Sequence, residues 1–469
     1  MKIRSEDIIV EEKTPFANCK LEREKYADIL TSLITKYDDG FVLAINNKWG
    51  YGKTTFLKMW QQKLINLEFE TIYFNAWEND FENNPFTAIL SELNQKIGSK
   101  SQEKFKSILA KASKIITSAV PSIAEHLAKK YLGISHIEDL TKEIAESGIE
   151  IFQTEIEDYI SRKKSIDDFR KELEKYLSEE NFYKRPLVFF IDELDRCRPN
   201  YAVEVLENIK HLFSVNGIVF VLSIDKEQLG HAVKGVYGSA EINSDEYLRR
   251  FIDLEYSLPD PNIEQYCKFL FEKNEFNLFF NNRNQNQFRD ERTQMMEFAK
   301  ILFSRNNIAL RQIEKIYVHC GVAIKSFLSN SYVLPNLFLY LTFLKHTNNI
   351  FYNEIKNKQL TLQQLLDKSF QSIDSLFQTN YDRKLSHVIS HLLFFYNNYL
   401  QNYSRLQGLI GINGNDQNVQ FLLNNTFNDD SQLKDLIAFL NVVNNDSFLS
   451  DLSLGEILNK IELTEAFKK

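Results

Sequence analysis

Phe41 to Trp60 reads FVLAINNKWGYGKTTFLKMW. Phe41–Ile45 is a continuous apolar run of strand length, the pattern of a strand buried on both faces of a parallel sheet. A loop rich in Asn and Gly follows, and then Leu57, Trp60 and Leu64 recur at helical spacing. The order is strand, loop, helix. Within the loop, Asn47, Lys48, Trp49, Gly50, Tyr51, Gly52, Lys53 and Thr54 match the phosphate-loop pattern GxxxxGK[ST] at every defined position except the first. Such a loop points backbone amides inward around a phosphate, with a lysine reaching the β and γ oxygens and a hydroxyl for Mg²⁺. Gly50 and Gly52 permit the backbone, Lys53 supplies the charge, Thr54 the metal ligand, and Thr55 extends the nucleotide-contacting segment. Asn47 replaces the usual first Gly; since Asn tolerates left-handed conformations next best after Gly, the departure reads as mild.

A nucleotide site of this kind needs acids at the end of another buried strand. Leu187–Ile191 is such a strand, ending in Asp192 and Glu193. Asp192 is placed to hold the Mg²⁺ shell and Glu193 to polarise a water against the γ-phosphate. Further strands are expected at Thr71–Phe74, followed by NAWEND, and at Ile218–Ile224, with a helix between carrying Ala202, Val205, Ile209 and Phe213 on its apolar face. Alternating strands and helices read as α/β with a doubly wound parallel sheet. From about 85 to 182 the alternation gives way to charged amphipathic stretches without a strand candidate, a helical insertion. Beyond SLPDP at Ser257–Pro261 strand signals vanish. The expected organisation is a P-loop core over 1–262 with the insertion inside it, a helical lid over 263–330 and a C-terminal helical domain over 331–469.

The 469 residues carry 56 basic and 64 acidic side chains, a net charge of −8, which argues against a chain whose main work is coating nucleic acid. Nucleic acid as a partner is left possible through a local groove, unsupported by overall charge. Cys19, Cys197, Cys267 and Cys320 show no CxxC spacing, and His387 with His391 lacks the glutamate of a zincin motif, so neither a disulfide framework nor a zinc site is read. The charged start MKIRSEDIIVEEK and the absence of a ~20-residue apolar run point to a cytoplasmic protein without a membrane span. The nearest candidate, Ile115–Ala124, is bracketed by Lys114 and Glu125, contains Pro121 and is too short.

Four blocks, KWGYGKTTFL, FNAWEND, FFIDELDRCRPNYAVEVLENIKHLF and FVLSIDKEQL, resemble the KAP family of P-loop NTPases, a branch of the class that also holds the AAA+ and STAND proteins. They span about half the chain. The resemblance implies an ATPase using ATP and Mg²⁺, with Glu193 where the family usually has a second aspartate. Tyr247–Asp253 running into Ser257–Pro261 looks like the segment that carries an arginine finger, which makes Arg249 and Arg250 candidates for a neighbour's γ-phosphate; ordinary surface arginines are the alternative. Leu310–Lys315, LRQIEK, looks like the start of the lid helix, with Arg311 as its second-sensor arginine. Ser223 and Asp225 stand where related ATPases place a polar sensor, although Asp225 also reads as a helix N-cap. The implied partners are a second copy of the chain, as a homo-oligomer, and a protein encoded nearby. The biological expectation is defence against phage or mobile DNA, with a nucleotide-controlled switch or a nucleic-acid remodelling ATPase as the alternatives.

Overall fold

In the computed structural model, four of the expected strands appear as β1 (Val42–Asn46), β2 (Thr71–Asn75), β3 (Leu187–Asp192) and β4 (Ile218–Ile224). The structure describes residues 8–464 except 38–39, 82–83, 99–104, 114, 116–143, 181, 183–184, 240, 284–287, 289, 306–307, 380–382, 402–408, 413–418, 425–429, 446–448 and 450–451. A fifth strand, β5 (Leu254–Ser257), was not expected. It is short and mostly exposed, with no apolar run, so only its pairing with β1 makes it a strand. The five pair in parallel in the order β2-β3-β4-β1-β5. β4 therefore lies between the phosphate-loop strand and the acidic strand, and the loops leaving β1, β3 and β4 emerge side by side at the carboxyl edge, where ligands of open α/β sheets bind.

Alternate strand residues feed two cores, as the period of two requires. Leu43, Ile45, Val188, Phe190, Val219 and Val221 face one side and pack with α1 (Glu24–Lys36) and α2 (Lys53–Asn66). Val42, Ala44, Phe189, Ile191, Phe220 and Leu222 face the other, against α3 (Pro85–Leu93) and the helix Pro199–Asn208. The interval read as an insertion supplies part of this second layer: Phe86, Phe105, Ile108, Phe169 and Leu173 are all buried in it. Residues 116–143, between its helices, lie outside the described residues, and with them most of Ile115–Ala124. No helix of the described residues is long and apolar enough to cross a membrane.

Trp60 joins the site-bearing elements. Fully buried on α2, it stacks on Phe56, meets Phe190 of β3 edge-on at 5.3 Å between ring centroids, and donates its indole N–H to Thr31 Oγ1 of α1 at 3.0 Å. Trp60→Ala removes a large packed side chain and leaves a hydroxyl without its donor. The expected cost is about 3–5 kcal/mol, read as a lowered denaturation midpoint by circular dichroism; an unchanged midpoint would show that this side chain does not anchor α2 to the sheet.

The chain divides into two compact units, Asp7–Pro259 and Asp260–Lys469. The second is built of helices, among them Ile263–Lys273, Leu310–Ala323, Pro335–Thr347 and Arg383–Gln401. It also holds an antiparallel hairpin, β6 (Ile410–Ile412) and β7 (Val419–Phe421), which corrects the expectation that strands end at Pro261. Three-residue strands flanked by Asn-rich sequence carry too little periodicity to be recognised. His387 and His391 lie one turn apart on Arg383–Gln401, where His391 Nδ1 meets the His387 carbonyl at 2.7 Å.

Candidate nucleotide site

The loop between β1 and α2 turns on two glycines, Gly50 at φ 80° and Gly52 at φ 78°, the second immediately before Lys53, the first residue of α2. A Cβ on Gly52 would also press to 3.2 Å from the Arg23 guanidinium, which donates to the Gly52 carbonyl at 3.1 Å. Asn47 is not left-handed, which corrects the reason given for tolerating it. Its side chain works instead as a tie: Nδ2 donates to the Leu258 carbonyl at 3.0 Å and Oδ1 accepts the Lys48 amide at 2.7 Å. A glycine there could make neither bond. Tyr51 is buried, while Thr54 and Thr55 are partly exposed on the first turn of α2.

Lys53 is buried, and its ammonium donates to the carbonyls of Asn47 at 2.6 Å and Lys48 at 3.3 Å. Burial pushes it below its ordinary pKa, while Asp195, Asp225 and Asp192 pull the other way. Asp192 ends β3, level with Asn75 of β2. Its Oδ1 accepts the Glu193 amide at 2.9 Å and its Oδ2 the Tyr73 hydroxyl at 2.7 Å, so the carboxylate plane is fixed. The phenol in turn is held far above the usual tyrosine range by burial and by Asp192.

Glu193 has a left-handed backbone, φ 61° and ψ 22°, an uncommon conformation for a residue with a Cβ. Oε1 accepts from Arg196 Nη1 at 2.6 Å, and Asn75 Nδ2 approaches Oε2 at a long 3.5 Å. Burial raises its pKa, with Arg196 opposing. Thr54, Tyr73, Asn75 and Glu193 line one cavity of about 410 Å³ together with Lys58 and Glu78.

Asp225 caps the helix Lys226–Tyr237 through the Gln228 amide at 3.3 Å, and its other oxygen accepts the Trp49 amide at 3.1 Å. It thus ties the phosphate loop to the end of β4. Ser223 is buried in β4, and its Oγ has no hydrogen-bond partner among the described residues. Arg249 and Arg250 are exposed in the turn between the short helix Ser244–Leu248 and the edge strand β5. Arg311 is exposed on the first turn of Leu310–Ala323, in the second unit. Trp77, in the NAWEND block, is 55% exposed.

Four contributors escaped the sequence reading: Tyr73, Asn75, Asp195 and Arg196 as a partner of Glu193. Asn75 opens the NAWEND block and Asp195 is the second aspartate of DELD, so their positions were visible without their partners.

A glycine-turned loop from a buried strand into a helix, with a buried lysine at the helix start and a buried aspartate ending a strand two places away, defines a P-loop NTPase. The chain belongs to the KAP family, whose P-loop domain matches residues 23–323. An uncharacterized protein of Methanocaldococcus jannaschii is 28% identical over 179 residues, 33% of this chain and 90% of that protein. Among solved structures, the Aeropyrum pernix ORC2 protein, determined as ADPNP–ADP complexes, aligns over 91% of this chain and 95% of its own at 12% identity and a TM-score of 0.32.

Proposed function

We propose that the chain binds ATP with Mg²⁺ and hydrolyses it. The observation that carries this reading is the meeting of Lys53, Thr54, Asp192 and Glu193 at the carboxyl edge of the sheet, with Thr54 and Glu193 on one cavity. The donor set fits the ion: a hydroxyl and a buried carboxylate whose orientation two hydrogen bonds already fix. Thr54 and Asp192 would hold Mg²⁺, which when bound neutralises charge on the phosphates. Lys53 binds the β and γ oxygens, the loop amides cradle the phosphates, and Glu193 takes a proton from the attacking water. The direct test is Mg²⁺-dependent release of phosphate from ATP by the purified chain; release no faster than from Lys53→Ala would overturn the reading.

Efficient turnover is proposed to need two subunits. Arg249 and Arg250 stand exposed beside an edge strand, where a guanidinium can reach another copy's γ-phosphate. An Arg249→Ala, Arg250→Ala double variant and Lys53→Ala should each be inactive alone and should recover turnover when mixed, since one supplies the site and the other the finger. A mixture that stays dead, with wild-type turnover per subunit independent of concentration, would remove the shared finger. Arg311 is proposed as the second sensor.

One observation favours slow turnover and hence a nucleotide-controlled switch: Oε1 of Glu193 is committed to Arg196 at 2.6 Å, so its basicity is spent until that pair opens. The biological setting proposed is cytoplasmic defence against phage or mobile DNA together with a protein encoded nearby, with nucleic-acid remodelling as the alternative. These rest on kinship with the family and not on the site.

A further inference from the structure

Three donors beside the phosphate loop converge on a single carboxylate oxygen. Asp195 Oδ2 accepts the Trp49 indole N–H at 2.6 Å and the Asp225 amide at 2.7 Å, and the Lys53 ammonium lies 4.0 Å away. Two of these donors belong to the phosphate loop and its helix, the third to the end of β4. Asp195 is buried, and burial raises its pKa although Lys53 and both N–H groups oppose the shift. An anion is thus kept in a place that is costly for it, by groups of the kind that bind a phosphate oxygen. Lys53 meanwhile turns its shorter bonds to the Asn47 and Lys48 carbonyls, interactions that a phosphate would outcompete.

We propose that the Asp195 carboxylate stands in for a γ-phosphate oxygen, and that ATP, but not ADP, must displace it to take over the Trp49 indole and the Asp225 amide, beside the Lys53 ammonium that both nucleotides meet. The inference rests on the ATP-binding reading above and assigns its γ-phosphate contacts. ADP ends at the β-phosphate and leaves Asp195 seated. Asp195 shares the turn Leu194–Arg196 with Arg196, the partner of Glu193, so its displacement shifts the ion pair that holds the water-activating carboxylate. The same event that reports a triphosphate frees Glu193.

Asp195→Asn keeps the shape and the acceptor oxygen but removes the charge that competes with the γ-phosphate. Titration of the full chain with Mg²⁺ and either ADP or the non-hydrolysable triphosphate ADPNP separates the two nucleotides. The variant should bind ADPNP about tenfold more tightly than wild type does, with ADP affinity changed less than about twofold, because only the γ-phosphate has to take the place of that charge. Trp49 provides a second readout that does not depend on this variant folding. In wild type, ADPNP should change tryptophan emission in a way ADP does not, and Trp49→Phe should abolish that difference while Trp60 and Trp77 remain. Weaker ADPNP binding by Asp195→Asn, an equal effect on both nucleotides, or identical emission changes with ADP and ADPNP would overturn the stand-in role while leaving ATP binding intact. Wild type that binds neither nucleotide would instead overturn the reading on which it rests.

Discussion

Lys53→Ala is expected to abolish measurable ATP binding. The ammonium is buried at the first position of α2, and burial already holds its pKa below the ordinary lysine value. A charge so poorly hydrated has little to lose on meeting phosphate, so its interaction with the β and γ oxygens is strong. Truncating one partner of a buried, hydrogen-bonded charge pair costs about 2–5 kcal/mol, or roughly 30-fold to several-thousand-fold in affinity. The variant also loses the bonds to the Asn47 and Lys48 carbonyls, which loosens the loop. Titration with a fluorescent ATP analogue measures the effect. Unchanged affinity would mean that the glycine-turned loop is not a phosphate site.

Glu193→Gln should separate binding from hydrolysis. The amide keeps the size of the side chain and an acceptor for Arg196 Nη1, so the turn around it persists. It cannot take a proton from water. A positioned general base is worth about 10²–10⁴-fold in rate, and phosphate release should fall by that factor with ATP affinity retained. The variant should therefore accumulate bound ATP, visible as unhydrolysed nucleotide after rapid desalting. Hydrolysis at the wild-type rate would move the role to another residue: Glu78 and Glu92 line the same cavity as Thr54 and Glu193, whereas both oxygens of Asp192 are already engaged by Tyr73 and the Glu193 amide.

The sequence by itself determined what is written in contiguous residues. The apolar runs Val42–Ile45, Leu187–Ile191 and Ile218–Leu222 are continuous because their strands are buried on both faces, and such runs are legible without any partner. The phosphate loop is equally local: eight residues carry the glycines, the lysine and the hydroxyl, and Asp192-Glu193 follows its strand directly. Tertiary structure decided how these pieces meet. β5 exists only because β1 offers it an edge, and the β6–β7 hairpin only because two three-residue segments pair with each other. The interval 85–182 reads from the sequence only as a helical insertion; that its helices cover one face of the sheet is decided by the packing. Asn47 looked like a glycine substitute, whereas the distant Leu258 carbonyl makes it a tie. Asp195 is the plainest case. Its partner Trp49 is 146 residues away in the chain, and no spacing or period connects them. Local propensity and pattern act over a few residues, while hydrogen bonds to buried charges are set by which loops the strand order brings to one edge, and that order is fixed only when the whole sheet has formed.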